Sequence, residues 1–124
     1  MSVLQYLRIY VDEEGVSHFG MIDIPLESND YAPPAVPLNT STLTPADGCI
    51  FLELPAGWYG DWHPTPVRQW LIFMSGECEF KAGDGERRRQ GAGDVVMLDD
   101  TKGKGHCTRV IGDDPVRIAA IHFT

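Results

Sequence analysis

The chain has 124 residues, 43% hydrophobic and 23% charged, with no apolar run near the roughly eighteen residues of a membrane span, which describes one domain and excludes a membrane helix. At this size a chain buries roughly two thirds of the surface it exposes when unfolded, enough for a core without disulfides or a structural metal. Nucleic acid and anionic membranes both need a clustered cationic face, so with a net charge of -8 and a pI near 4.7 neither is an expected partner, and a small molecule is.

Cys49, Cys78 and Cys107 are widely spaced and outside any C-x-x-C pair, so they read as small core residues rather than a disulfide framework or zinc knuckle. Met1–Arg8 carries no secretory signal pattern, so a cytoplasmic location is expected.

Thirteen glycines and nine prolines interrupt the chain so often that strands fit the gaps and long helices do not. In chain order the predicted strands are Tyr6–Val11 and Ser17–Ile24 around an Asp12–Gly15 turn, then Cys49–Leu54, Val67–Met74 and Glu77–Lys81. Glu86–Gln90, Asp94–Leu98, Cys107–Ile111 and Val116–Phe123 follow. So many short strands at turn-rich spacing read as an all-β barrel or sandwich. Gly83-Asp84-Gly85 is a tight hairpin turn, and Gly91-Ala92-Gly93-Asp94 leads into the next strand. Between the first hairpin and the rest, Pro25–Pro45 holds five of the nine prolines and reads as an extended connection over the surface. The chain is therefore expected to be a single domain over 1–124, with hairpin and connection at 1–45 and a barrel core at 46–124. Arg87-Arg88-Arg89 lies near Glu77, Glu79 and Glu86, which predicts a solvated edge with cross-strand ion pairs rather than an anion site.

Candidate chemistry concentrates in Gly57–Gln69 and in the loop Asp99–His106, where His63 and His106 sit in Gly/Pro-rich surroundings beside strands. Strand alternation puts His63 and Thr65 on one face and gives Gln69, Leu71 and Phe73 a shared barrel-facing side. His122 alternates with Val116, Ile118 and Ala120 and is expected to point inward, while His18 is expected to be structural or at a subunit contact. Trp58, Tyr59, Trp62 and Trp70 are candidates for a pocket mouth or for packing. Arg68, Lys102 and Lys104 flank the histidines and are candidates for holding a substrate carboxylate.

Over about Cys49 to Phe123 the chain resembles the cupin family, small jelly-roll barrels with two short motifs. The first, Gly, five residues, His-x-His, three or four residues, Glu, six residues, Gly, is met by Gly57, His63 and Gly76, with Thr65 in place of the second His and Gln69 in place of Glu. The second, running from Gly through Pro-x-Gly to His and then Asn, is met by Gly93, Gly103 and His106, with two extra residues, Thr101 for Pro and Val110 for Asn. The resemblance implies a double-stranded β-helix with an added N-terminal β-hairpin.

It also implies a divalent metal (Fe, Mn, Ni, Cu or Zn) on His63, Gln69 and His106. Losing the carboxylate and one imidazole weakens such a site, and a metal-free barrel is the alternative. The implied activity is of isomerase or dioxygenase type on an oxo acid or diketone-like substrate. Asp61 or His122 would move a proton, and Thr65, Arg68, Trp58, Tyr59, Phe73 and Lys104 would contact substrate. A non-catalytic ligand-binding or sensor module is the second expectation. A homodimer is a further one, with the N-terminal hairpin adding strands to a partner or capping its edge.

Overall fold

A computed structural model describes residues 2–123 as two packed sheets of eleven strands. The strands are β1 (Ser2–Val11), β2 (Ser17–Asn29), β3 (Leu38–Thr40), β4 (Gly48–Leu54), β5 (Tyr59–His63), β6 (Arg68–Ser75), β7 (Glu77–Lys81), β8 (Arg87–Gly91), β9 (Val95–Leu98), β10 (His106–Ile111) and β11 (Val116–Phe123). The larger sheet has the order β3-β2-β1-β9-β6-β11-β4 and the smaller β5-β10-β7-β8. The all-β architecture is the one the turn spacing anticipated, and its jelly-roll form is the one the family resemblance implied. Among the described residues no helix is long and apolar enough to cross a membrane.

Period-two alternation builds the core. Leu7 and Ile9 of β1, Leu71 and Phe73 of β6, Val96 and Leu98 of β9, and Val116, Ile118 and Ala120 of β11 all face the smaller sheet's Cys78, Phe80 and Val110. Each fully buried Leu, Ile or Phe contributes about 1.5–3 kcal/mol relative to exposure.

The N-terminal hairpin is part of this sheet. β1 runs parallel to β9, with Leu7, Arg8 and Ile9 opposite Val96, Met97 and Leu98. β2 continues past its expected end through Pro25 to Asn29, and β3 pairs it only at Glu27–Asn29. Pro25 lies outside that pairing, so its missing N–H leaves no ladder bond unmade on the β3 side. The connection therefore holds one short strand that its prolines concealed.

The arginine run pairs as expected, Arg87 with Glu79 at 3.2 Å, Arg88 with Glu86 at 2.6 Å and Arg89 with Glu77 at 3.5 Å. Of the cysteines, Cys78 and Cys107 are buried, whereas Cys49 is exposed, because β4 is the edge of its sheet. Burial pushes the Cys78 thiol up to about 12, which keeps it unreactive.

His18 clasps the hairpin to the β7–β8 turn, with Nε2 2.7 Å from Asp12 Oδ2 and Nδ1 2.9 Å from Asp84 Oδ2. Both contacts are to carboxylates, so the ring satisfies both only as the imidazolium. The Asp12 hydrogen bond first, and then Asp84, hold its pKa above the ordinary 6.5, and the same His18 bond holds Asp12 below 3.8. A raised histidine stabilises the fold fully below 6.5 and loses that contribution as pH climbs through its folded value. A lowered aspartate stabilises above 3.8 and loses that contribution as pH falls through its own folded value. The melting temperature of wild type is expected to drop toward that of His18→Gln as pH rises beyond 6.5, with the variant's profile flatter over the same range.

Candidate functional site

A cavity of about 130 Å³ lies between the sheets. Leu52 and Leu54 of β4, Leu71 of β6, Phe80 of β7, Leu98 of β9 and Ile118 of β11 line it, with Trp58 and Pro66 from loops. Its polar lining is His63, Thr65, Gln69, His106 and Thr108, and no Lys or Arg reaches it. Dry apolar cavities of about 150 Å³ take benzene, so this space suits a ligand of about six non-hydrogen atoms.

Strand pairing brings the two histidines together. His63 stands opposite His106 across β5 and β10, and the register then shifts, so that Asp61 and Trp62 together oppose Cys107. That bulge lets Gly60 and His63, three apart, both turn inward, and it sends Asp61 and Trp62 outward. Gly105, at φ +79, packs its backbone on the His63–Pro64 peptide, where any Cβ would overlap the His63 carbonyl. The ring centroids end 4.7 Å apart. At Gly60 a Cβ would overlap the indole of Trp58, so the missing side chain there lets Trp58 close over the cavity.

Each ring is held from behind. His63 Nδ1 is 2.6 Å from the Asp61 carbonyl, which can only accept, so Nδ1 carries the proton. His106 Nδ1 donates to Asp100 Oδ2 at 2.5 Å, within a pair whose side chains are 3% and 0% exposed. Nε2 of each ring, the nitrogen that binds a metal or accepts a proton, is left without a protein partner among the described residues.

Thr65 and Gln69 satisfy one another. The Thr65 hydroxyl donates to the Val67 carbonyl at 2.7 Å and so can only accept from Gln69 Nε2 at 2.9 Å. This fixes the amide with its NH₂ on Thr65 and leaves Oε1 as a free acceptor.

The cavity thus gathers His63, His106, Gln69, Thr65 and Trp58 from the expected set. His122 pairs with Gln69 in the β6–β11 register, on the same face, yet lies outside the lining. Phe73 is inward but deeper, 2% exposed and edge-on to Phe80, which takes the lining position beside His106.

Four expected residues face away from the cavity. The bulge turns the Asp61 carboxylate outward, where it accepts from the Trp62 backbone N–H, so Asp61 serves the site through its carbonyl alone. Arg68 alternates with Gln69 and therefore points out, donating to Asp99 Oδ1 at 2.5 Å and lying over Phe123. Tyr59 is 58% exposed in an outer groove, its hydroxyl 3.5 Å from Cys107 Sγ. That contact, with a smaller part from burial, pushes the phenol up to about 12. Lys104 lies 4.2 Å over the Trp62 ring, also outside. Trp70 packs on the outer face against Tyr6.

Two residues escaped the sequence reading. Thr108 follows His106 by two on β10, and Asp100 continues the inward phase of Val96 and Leu98 past the end of β9. Simple alternation carried two residues into the loop would have placed Asp100 inside.

Among the described residues no group of three or more His, Cys, Asp and Glu side chains converges, so the cavity's donor set is two imidazoles and one amide oxygen. That set fits an open, weakly held divalent ion of the imidazole-preferring kind, with the Asp100 carboxylate behind His106.

The cupin domain family model matches residues 50–122. Two solved structures are similar in fold. One is a DUF861 family protein from Thermotoga maritima, 23% identical with a TM-score of 0.50, over 60% of this chain and 77% of that one. The other is the cupin domain of Cnp3 from Schizosaccharomyces pombe, 14% identical with a TM-score of 0.53, over 100% of this chain and 88% of that one. No curated protein matches the chain.

Because Gly105 combines a left-handed backbone with a direct contact on His63, Gly105→Ala is expected to cost about 1–3 kcal/mol or more. Denaturant unfolding reads that loss, and displaced His63 and His106 ring resonances read the disturbed pair.

Proposed function

The chain belongs to the cupin family, and we propose that its barrel interior is a small-molecule site at which His63, His106 and Gln69 hold a divalent cation against a diketone-like or oxo-acid ligand. The observation that carries this reading is the pair of imidazoles, each anchored at Nδ1 and open at Nε2 on one cavity. A bound cation would polarise a carbonyl or enolate oxygen, the chemistry of an isomerase or dioxygenase.

The chain's own residues set the rest. Leu52, Leu71, Ile118 and Trp58 exclude water and grip the ligand's apolar part, and Thr108 offers one hydroxyl. With no Lys or Arg in the lining, a ligand carboxylate would find its counter-charge in the cation alone, which favours the diketone of the two ligand classes. The outward turn of Asp61 and the place of His122 outside the lining leave neither expected proton carrier against the ligand, so the open Nε2 atoms of His63 and His106 are the bases that face it. A cytoplasmic homodimer belongs to the same proposal, supported by free thiols and by exposed Phe51 and Met74 on the larger sheet.

The bond between Thr65 and Gln69 supports a second reading, a metal-free binding module, since the two positions that depart from the first family motif occupy each other. Metal analysis and ligand binding separate the two. Tag-free wild type supplied with a divalent ion is expected to bind close to one per chain. His106→Ala should weaken its affinity by more than the roughly 10- to 100-fold that loss of a supporting group costs, with an unchanged fold by circular dichroism. Ligand binding that survives chelator and His63→Ala selects the metal-free module instead.

A further inference from the structure

Among the described residues Asp100 is the one fully buried carboxylate, and it is half-satisfied. Its side chain is 0% exposed, Oδ2 accepts from His106 Nδ1, and Oδ1 has no hydrogen-bond partner. Its backbone is fixed too, because the Asp100 carbonyl accepts from the Thr65 N–H at 3.0 Å. A buried carboxylate with an empty oxygen is costly unless positive charge lies within reach. Arg8 and Arg68 both bond the neighbouring Asp99 on the outer face, so neither serves Asp100.

We infer that Asp100 is the positioning residue of the site and carries the negative charge that Gln69 does not. It locks His106 in the Nδ1–H tautomer with Nε2 turned to the cavity, and its charge reaches a cation there through the imidazole. Charge is thereby moved from a direct donor to the group behind one, leaving a neutral lining with a buried anion at its back. The cation half of this inference rests on the metal reading above; the tautomer half does not.

The test titrates zinc alone, by calorimetry, into wild type, Asp100→Asn, Gln69→Glu and the double variant, each checked for fold by circular dichroism. Asp100→Asn is expected to bind about 10- to 100-fold more weakly than wild type. Gln69→Glu is expected to bind more tightly, and the double variant to recover at least wild-type affinity, because one carboxylate replaces the other. Nitrogen-15 spectra of metal-free protein give the second arm, with His106 protonated on Nδ1 in wild type and shifted toward Nε2 in Asp100→Asn. Equal zinc affinity in wild type and Asp100→Asn overturns the charge role while leaving the metal reading standing. A His106 protonated on Nε2 in the wild type overturns the positioning role. A wild type that binds no zinc overturns the metal reading and with it the charge role, and the nitrogen spectra then decide the positioning role alone. Should Asp100→Asn fail to fold, Gln69→Glu and the wild-type spectrum decide, no gain in affinity counting against a charge-starved site.

Discussion

Backbone packs directly on backbone where Gly105 meets the His63–Pro64 peptide, and the site exists because nothing larger than hydrogen stands between them. The contact sets the start of β10 against the end of β5, at the His63–His106 pair and beside the bulge that lets His63 face inward. It also reaches the N-terminal hairpin. Ser17, 1% exposed, donates from Oγ to the Gly105 carbonyl at 2.8 Å and accepts from the Gly83 N–H at 2.7 Å. One hydroxyl thus ties together the hairpin, the β7–β8 turn and the loop that delivers His106, so a segment outside the two family motifs helps to hold them in place.

Charge is sorted with the same economy. The eighteen acidic side chains leave the lining of the cavity free of carboxylates, as Asp99 bridges Arg8 and Arg68 outside, Asp61 caps its own strand and Glu79 takes Arg87 and Arg109. Only Asp100 turns in, and it does so behind a histidine. The lining that remains is apolar, with two imidazole nitrogens and one amide oxygen as neutral acceptors and a single threonine hydroxyl.

Much of this was legible in the residues. Alternation along Val67–Met74, Asp94–Leu98 and Val116–Phe123 identified the strands that form the core, and the motif spacing of Gly57, His63 and His106 marked the pair that the fold unites. The failures have separate local causes. A strand was hidden at Tyr59–His63 because a bulge breaks its period, and the same bulge reversed the Asp61 side chain. Arg68 and Lys104 lie close to the histidines along the chain, whereas the pleat of β6 and a stacking contact on Trp62 put both outside. Asp100 was missed because its phase was not followed beyond the strand end, and its role is visible only once the His106 ring is placed against it.

X-ray absorption on the zinc-loaded protein addresses the central claim at the metal itself. Two imidazole nitrogens at about 2.0–2.1 Å, completed by lighter oxygen scattering, are expected if His63 and His106 converge on one ion. Zinc bound without imidazole scattering would show that the ion sits elsewhere, and would contradict a cavity organised around that histidine pair.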